Sequence, residues 1–347
     1  MTERIPGDDT PRMILDADTG VDDAAALLFA ATGPGVRLEA VLATWGNTTV
    51  DLAARNSLHV LEAVGHPAPV YVGAADASGP APPVVEPTII MGEDGFADLG
   101  LPPPDRKPED DPAADALIEL TREHPGELEL VCLAPLTTVA HALARDGGLA
   151  TRLRGLTFLG GSIAGGGNST PAAEANVAHD PAAAATVFEA FGSVTRDDGS
   201  PAARMVPLET ATPLFTDDLL AWLAAAPGDG PDLLHRVLST VWPMASLEGA
   251  GRGILLADLV ATVCAVFPEL VEWGAYPVGV DTGGSAAWGA TVVDRRLDRI
   301  TGADLDPAIL ELVHELVSTF PSTWSVATAL DEPRLHDTVR AWLAAPS

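Results

Sequence analysis

The sequence predicts an α/β fold: an open, mostly parallel central sheet with helices on both faces. Three observations carry that expectation. Short apolar runs alternate with helical segments along the chain, the pattern of successive strand–helix–strand units. The strand candidates end in polar or glycine-rich clusters. Hydrophobic residues make up 47% of the 347 positions, enough for a sizeable core.

Residues 13–18, Met-Ile-Leu-Asp-Ala-Asp, read as a buried strand ending in carboxylates, followed by a tight turn at Gly20 and a helix from Asp22 onward. The alternation continues with a strand near 38–44, a helix near 51–64, a short strand at 70–73, a strand at 128–134, a helix at 137–145 and a strand at 155–160. Helices are expected at 181–191, 216–226, 231–241 and 306–319, and residues 278–296 alternate like two paired strands. From Ala74 to Pro112 the chain is rich in proline, glycine and acid, and so long a connection is expected to be functional or mobile. No repeat or linker divides the chain, so one domain spanning 1–347 is expected, with residues 1–11 as a flexible tail.

Asp and Glu number 49 against 19 Lys and Arg, a net charge of −30, which excludes a general nucleic-acid binder. Mean hydropathy is +0.21, yet no apolar run approaches the roughly 18 residues that read as a membrane span. The amino end carries no basic flank or apolar segment of a secretory signal, so a cytoplasmic protein is expected. Cys132 and Cys264 lie in apolar surroundings and are expected as buried thiols, not as a disulfide.

The strongest chemical signal is the turn after the first strand, where Asp16, Asp18, Asp22 and Asp23 fall within eight residues. In an open α/β sheet the carboxyl ends of the strands are where ligands bind. One such Asp would serve as a helix cap; four together exceed that need. Like charges this close raise one another's pKa unless neutralised, and no Lys or Arg lies in the motif. A hard divalent cation is the simplest remedy, and a set of carboxylate and carbonyl oxygens leans toward Ca²⁺ over Mg²⁺. Three more polar clusters stand where strands should end or a helix begin: Trp45-Gly46-Asn47, the run from Gly160 to Asn168 that leads to Glu174 and Asn176, and Asp258 at the front of an apolar helix. Their shared placement predicts a polar pocket.

These motifs resemble the nucleoside hydrolases, which cleave the N-glycosidic bond of ribonucleosides with a tightly held Ca²⁺ and have a Rossmann-like core. The similarity runs from Ile14 to Arg296 and rests on the Asp-x-Asp-x-Gly-x-Asp-Asp turn and on Asn168, Glu174 and Asn176 followed by Asp180-Pro181. The resemblance implies that Asp18 both ligates Ca²⁺ and takes a proton from the attacking water. It implies Asp23, the carbonyl of Leu133 and Asp258 as further Ca²⁺ ligands. Asp22 and Asn47 resemble groups holding the ribose diol, Asn168, Glu174 and Asn176 those gripping the rest of the sugar, and Asp16 a support behind the turn. It also implies a homodimer or homotetramer acting on a small ribonucleoside; from the charge and hydropathy above, no nucleic-acid or membrane partner is expected.

That chemistry is coherent: glycoside hydrolysis passes through an oxocarbenium-like state, so negative potential at the sugar and an activated water are needed. Two departures concern the leaving base. Ala257 stands where many members carry a His that protonates it, and Met91 replaces another His of the long loop. Loss of general-acid help costs about 10²- to 10⁴-fold, roughly 3 to 5 kcal/mol. Ala175 replaces an aromatic, which widens the expected base pocket. Trp45, Phe96, Trp242 and Trp288 are candidates for stacking on a base, each with packing as the competing role. His179 is expected at a helix entry.

Two other readings compete. Asp16-Ala-Asp18 resembles the Asp-x-Asp of haloacid-dehalogenase-like phosphatases, but Gly20 and the isolated Lys107 do not suit that chemistry. The glycines at 165–167 lack the Lys-Ser or Lys-Thr of a nucleotide loop. A catalytically weak or inactive ribonucleoside-binding or regulatory protein is the alternative from another class, and retention of Asp18 argues for turnover.

Overall fold

The computed structural model describes residues 10–84, 88–196, 198–211, 214–244, 253–299, 309 and 322–345. Among these the strands are β1 (Arg12–Ala17), β2 (Arg37–Ala43), β3 (Val70–Val72), β4 (Leu128–Cys132), β5 (Gly155–Leu159), β6 (Ala203–Val206), β7 (Leu214–Phe215), β8 (Ile254–Leu255), β9 (Val271–Val280), β10 (Thr291–Val293) and β11 (Thr323–Leu330). Nine of them form one sheet in the order β10-β9-β11-β6-β5-β4-β1-β2-β3, and β7 pairs with β8 alone. Every neighbouring pair from β3 across to β11 is parallel, whereas β9 runs antiparallel to both β11 and β10. The expected open, mostly parallel sheet is therefore observed.

Alternation along each strand builds two cores. Met13, Leu15 and Ala17 of β1 join one apolar cluster with helices Val21–Thr32, Val50–Ala63, Asp229–Val241 and Ala257–Val266, while Ile14 joins the other with helices Ala113–Glu123, Thr137–Arg145 and Pro181–Phe191. Period-two strands buried on both faces read as continuous apolar runs, which is why β1 and β4 were visible in the sequence. Helices 137–145 and 181–191 have the expected bounds. Residues 278–296 do contain two antiparallel strands, Val280 opposite Thr291, but β9 begins at Val271. Strands β6 and β11 and helices Ala113–Glu123 and Glu332–Leu343 were not anticipated. The expected helix at 306–319 lies outside the described residues apart from residue 309, as do residues 1–9 of the expected tail; Pro11 accepts a hydrogen bond from the Arg37 N–H.

The strand order reverses at β1, with β2 on one side and β4 on the other. Register aligns Asp16 with both Leu42 and Cys132, so the segments that leave β1, β2 and β4 emerge at one edge. Such a switch point opens a crevice beyond the carboxyl ends of the strands. Both cysteines are buried and free, with burial pushing the Cys264 thiol up to about 12. No helix of the described residues is long and apolar enough to cross a membrane.

Candidate active site

Beyond Ala17 the chain turns sharply before the helix Val21–Thr32. Gly20 caps that helix, and its N–H donates to Asp23 Oδ2 at 3.0 Å, so Asp23 rather than Asp22 fills the capping role. A Cβ on Gly20 would meet Met91 Sδ at 2.8 Å, so the glycine lets the Met91 side chain pack directly on the turn. Asp18 accepts from the Asn47 N–H at 2.5 Å and from Asn47 Nδ2 at 3.4 Å. A Cβ on Gly46 would collide with Asp18 Oδ2, so the Gly46-Asn47 step exists to let this carboxylate approach. Asp16 is fully buried behind the turn, where Oδ1 accepts from the Thr44 hydroxyl at 2.5 Å.

The fold brings Asp258, the first acid of helix Ala257–Val266, to this turn. Carboxylate oxygens of Asp22, Asp23 and Asp258 lie within 4.8 Å of one another, an arrangement able to hold a metal ion. Asp18 stands outside that trio, turned to Asn47, yet burial first and then the charges of Asp23 and Asp22 hold its carboxyl well above the usual range. Asp258 is raised well above it by burial and then by Asp22, Asp23 and Asp18. Burial pushes Asp16 and Asp22 up to about 7. Among the described residues no Lys or Arg pairs with any of these acids, and Asp16 Oδ2, Asp22 Oδ1, Asp23 Oδ1 and Asp258 Oδ2 are buried without a hydrogen-bond partner. Orphaned carboxylate oxygens cost several kcal/mol as ions in a dry site, about what a bound divalent cation offsets.

A second set of groups faces the turn from β4 and β5. Asn176 Nδ2 donates to the carbonyls of Leu133 at 2.8 Å and Leu159 at 3.0 Å, clamping the two strand ends together. Glu174 caps the short helix Ala175–His179 by accepting from the N–H groups of Asn176 and Val177, and also from Gly161 at 2.9 Å. Burial still lifts its carboxyl to about 7. Asn168 is exposed, its Oδ1 fixed by the Ala175 N–H at 2.9 Å. The glycine-rich loop that carries Asn168 is held by residues the sequence did not reveal. Glu209 accepts from the Ser162 hydroxyl at 2.6 Å and from the N–H groups of Ile163 and Ala164, and Thr291 bonds to both the N–H and the carbonyl of Ser162.

The remaining wall lacks titratable groups at the expected places. Met91 packs on the carboxylate turn with Sδ 3.4 Å from the Val21 nitrogen, and Ala257 and Ala175 each open a helix. Phe96 and Trp242 are buried, the latter donating its indole N–H to Asp217, which makes both packing residues. Trp45 is half-buried, donates to Thr137 and lies edge-on to His179 at 5.3 Å. His179 ends its helix as a buried ring bonded through Nδ1 to the Ala175 carbonyl. Trp288 is half-buried on a loop whose Gly289 backs onto Ala173 and Ala178.

The switch point of an open α/β sheet thus gathers buried carboxylates able to hold a metal ion, with the amide and carboxyl groups of Asn176 and Glu174 at the neighbouring strand ends. The chain belongs to the nucleoside hydrolases: the model of the inosine-uridine preferring nucleoside hydrolase family matches residues 13–337. It is similar to uridine nucleosidase 1 of Arabidopsis thaliana, with 32% identity over 84% of each chain. It is also similar to the non-specific ribonucleoside hydrolase RihC of Salmonella agona, with 33% identity over 81% of this chain and 87% of that one. A solved plant nucleoside hydrolase superposes with a TM-score of 0.82 at 27% identity, covering 97% of this chain and 100% of that one.

Proposed function

We propose that the chain hydrolyses ribonucleosides to ribose and free base with Ca²⁺ held by Asp18, Asp23, the Leu133 carbonyl and Asp258. The observation that carries this reading is the nest of buried, mutually repelling carboxylates with orphaned oxygens and, among the described residues, no cationic partner. Oxygen donors of this kind suit Ca²⁺, which when bound would neutralise the nest and polarise a water and the sugar hydroxyls. Asp18 takes the proton from that water at its carboxylate. Asp22 and Asn47 hold the ribose diol, and Asn168, Glu174 and Asn176 grip the rest of the sugar. Asp16, behind the turn, keeps Thr44 and the strand ends in place. Fixing the sugar beside the proton-accepting carboxylate supplies the orientation on which such catalysis depends.

The names of the relatives, uridine nucleosidase and non-specific ribonucleoside hydrolase, support a ribonucleoside as substrate. The test is ribose release from a panel of purine and pyrimidine ribonucleosides, run after chelation and again with Ca²⁺ restored. Release that vanishes and returns with Ca²⁺ is expected. Release indifferent to chelation overturns the metal assignment, and no release from any ribonucleoside overturns the substrate. A homodimer or homotetramer, the state implied by the family resemblance, is checked by sedimentation, and the cytoplasmic location expected from the sequence by fractionation.

A further inference from the structure

At the opposite end of the sheet, beyond the amino ends of β1, β4, β5 and β6, lies a cavity of about 740 Å³. In a chain of net charge −30, three of the 19 cationic residues converge on it: Arg154, Arg196 and Arg204. Among the described residues one of them, Arg196, is paired with a carboxylate. Arg196 reaches the buried Glu129 at 3.4 Å, and Gly155 keeps that contact open, since a Cβ there would run into the Arg196 guanidinium. The remaining carboxylate of the lining, Asp198, accepts from the N–H and hydroxyl of Ser200. Arg154 and Arg204 donate no side-chain hydrogen bond among the described residues, although Arg204 is half-buried with its guanidinium 5.5 Å from the Trp273 ring centroid. Burial first, and then the charges of Arg196 and Arg154, draw the Arg204 pKa down, with Glu129 and Asp198 opposing.

A guanidinium withdrawn from water without an acceptor is costly, and its planar fork matches the oxygens of a phosphate. We infer that this cavity is an oxyanion site, in which Arg204 and Arg154 bind phosphate or the phosphate group of a small phosphomonoester. Three arginines against the carboxylates of Glu129 and Asp198 leave this lining net positive in a strongly acidic chain, which favours an anionic ligand such as a phosphomonoester. The volume exceeds what an inorganic ion needs and falls in the range of small-molecule pockets. The surrounding acidic surface repels anions, so retention of one depends on this local array.

The test is calorimetric titration of the metal-loaded protein with inorganic phosphate and, separately, with glycerol 3-phosphate, at constant potassium chloride. Saturable binding with a Kd below about 1 mM is expected. It should weaken about tenfold or more in Arg204→Met and in Arg154→Gln, while ribose release without phosphate stays unchanged. Arg154 is exposed, so its variant keeps the test valid if Arg204→Met fails to fold. Binding of both probes assigns the site to a phosphomonoester; binding of phosphate alone assigns it to the inorganic ion. No saturable binding of either probe, or binding unaltered in Arg154→Gln, overturns the inference.

Discussion

The two halves of the pocket are built on different principles. The half at the ends of β1, β2 and β4 is dense in oxygen, with Asp16, Asp18, Asp23 and Asp258 buried and Asn47 and Asn176 fixing their neighbours. The half that would face the base offers Met91, Ala175 and Ala257, side chains with no proton to give. The contrast locates the proposed catalytic power on the sugar and the water. It leaves the departing base without a dedicated acid at these positions.

The contrast breaks most sharply at Asp18. Asp18→Ala should lower the rate of ribose release by at least about 10³-fold, as expected when a base and a metal ligand are lost together. Turnover within a few-fold of the parent would show that the oxygen-rich half is not where the reaction occurs. Glu174 supplies the next largest effect, read in stability. In the folded chain it keeps its proton to about 7, whereas an unstructured glutamate releases it near 4.5. Between those values the folded chain binds the extra proton, so this group favours folding at low pH and that contribution is lost as pH rises through about 7. At about 1.4 kcal/mol per unit the change amounts to about 3 kcal/mol. Unfolding free energies of the parent and Glu174→Gln, compared at about pH 5 and about pH 8, should differ by that slope. Parallel pH dependences would mean that Glu174 is not buried as a titrating acid.

What the sequence disclosed follows the same division between near and far. The strands β1, β2, β4 and β5 were legible because each is a short apolar run followed by a polar or glycine cluster, and Asp16 to Asp23 were legible because they are neighbours in the chain. Strand β6 is four residues long with Arg204 inside it, and β7 and β8 have two residues each, too short for any period to show. The supports of the sugar side were hidden for another reason. Ser162 meets Glu209 across 47 positions and Thr291 across 129, pairings that only the assembled sheet creates. Asp258 reached the turn by the same route; its place at the front of an apolar helix marked it in the sequence, but only the resemblance to a family ligand tied it to this turn.

The base half is sharpened by adding what it lacks. Ala257 precedes Asp258 at the start of its helix and is only partly buried, next in the chain to a carboxylate of the nest. Ala257→His should raise the rate of ribose release by about tenfold, a modest share of the gain that a well-placed general acid provides. The gain should fall away as pH rises past the His pKa, because only the protonated ring can donate. An unchanged rate with the parent pH profile would mean that protonation of the base does not limit turnover in this pocket.

The smallest effect separates sugar binding from metal binding within the oxygen-rich half. Asn168 is exposed on the glycine-rich loop and contacts none of the clustered carboxylates; its Oδ1 accepts from the Ala175 N–H. Removing the amide in Asn168→Ala takes away one group proposed to hold the sugar and frees the start of the helix that carries Asn176. A single neutral hydrogen bond is worth about 1 kcal/mol, so KM should rise about fivefold while kcat changes little. Calcium affinity, measured by titration of the chelated protein, should stay at the parent value because Asp18, Asp23, Leu133 and Asp258 are untouched. Loss of the metal together with the sugar would show that the loop and the carboxylate turn act as one unit.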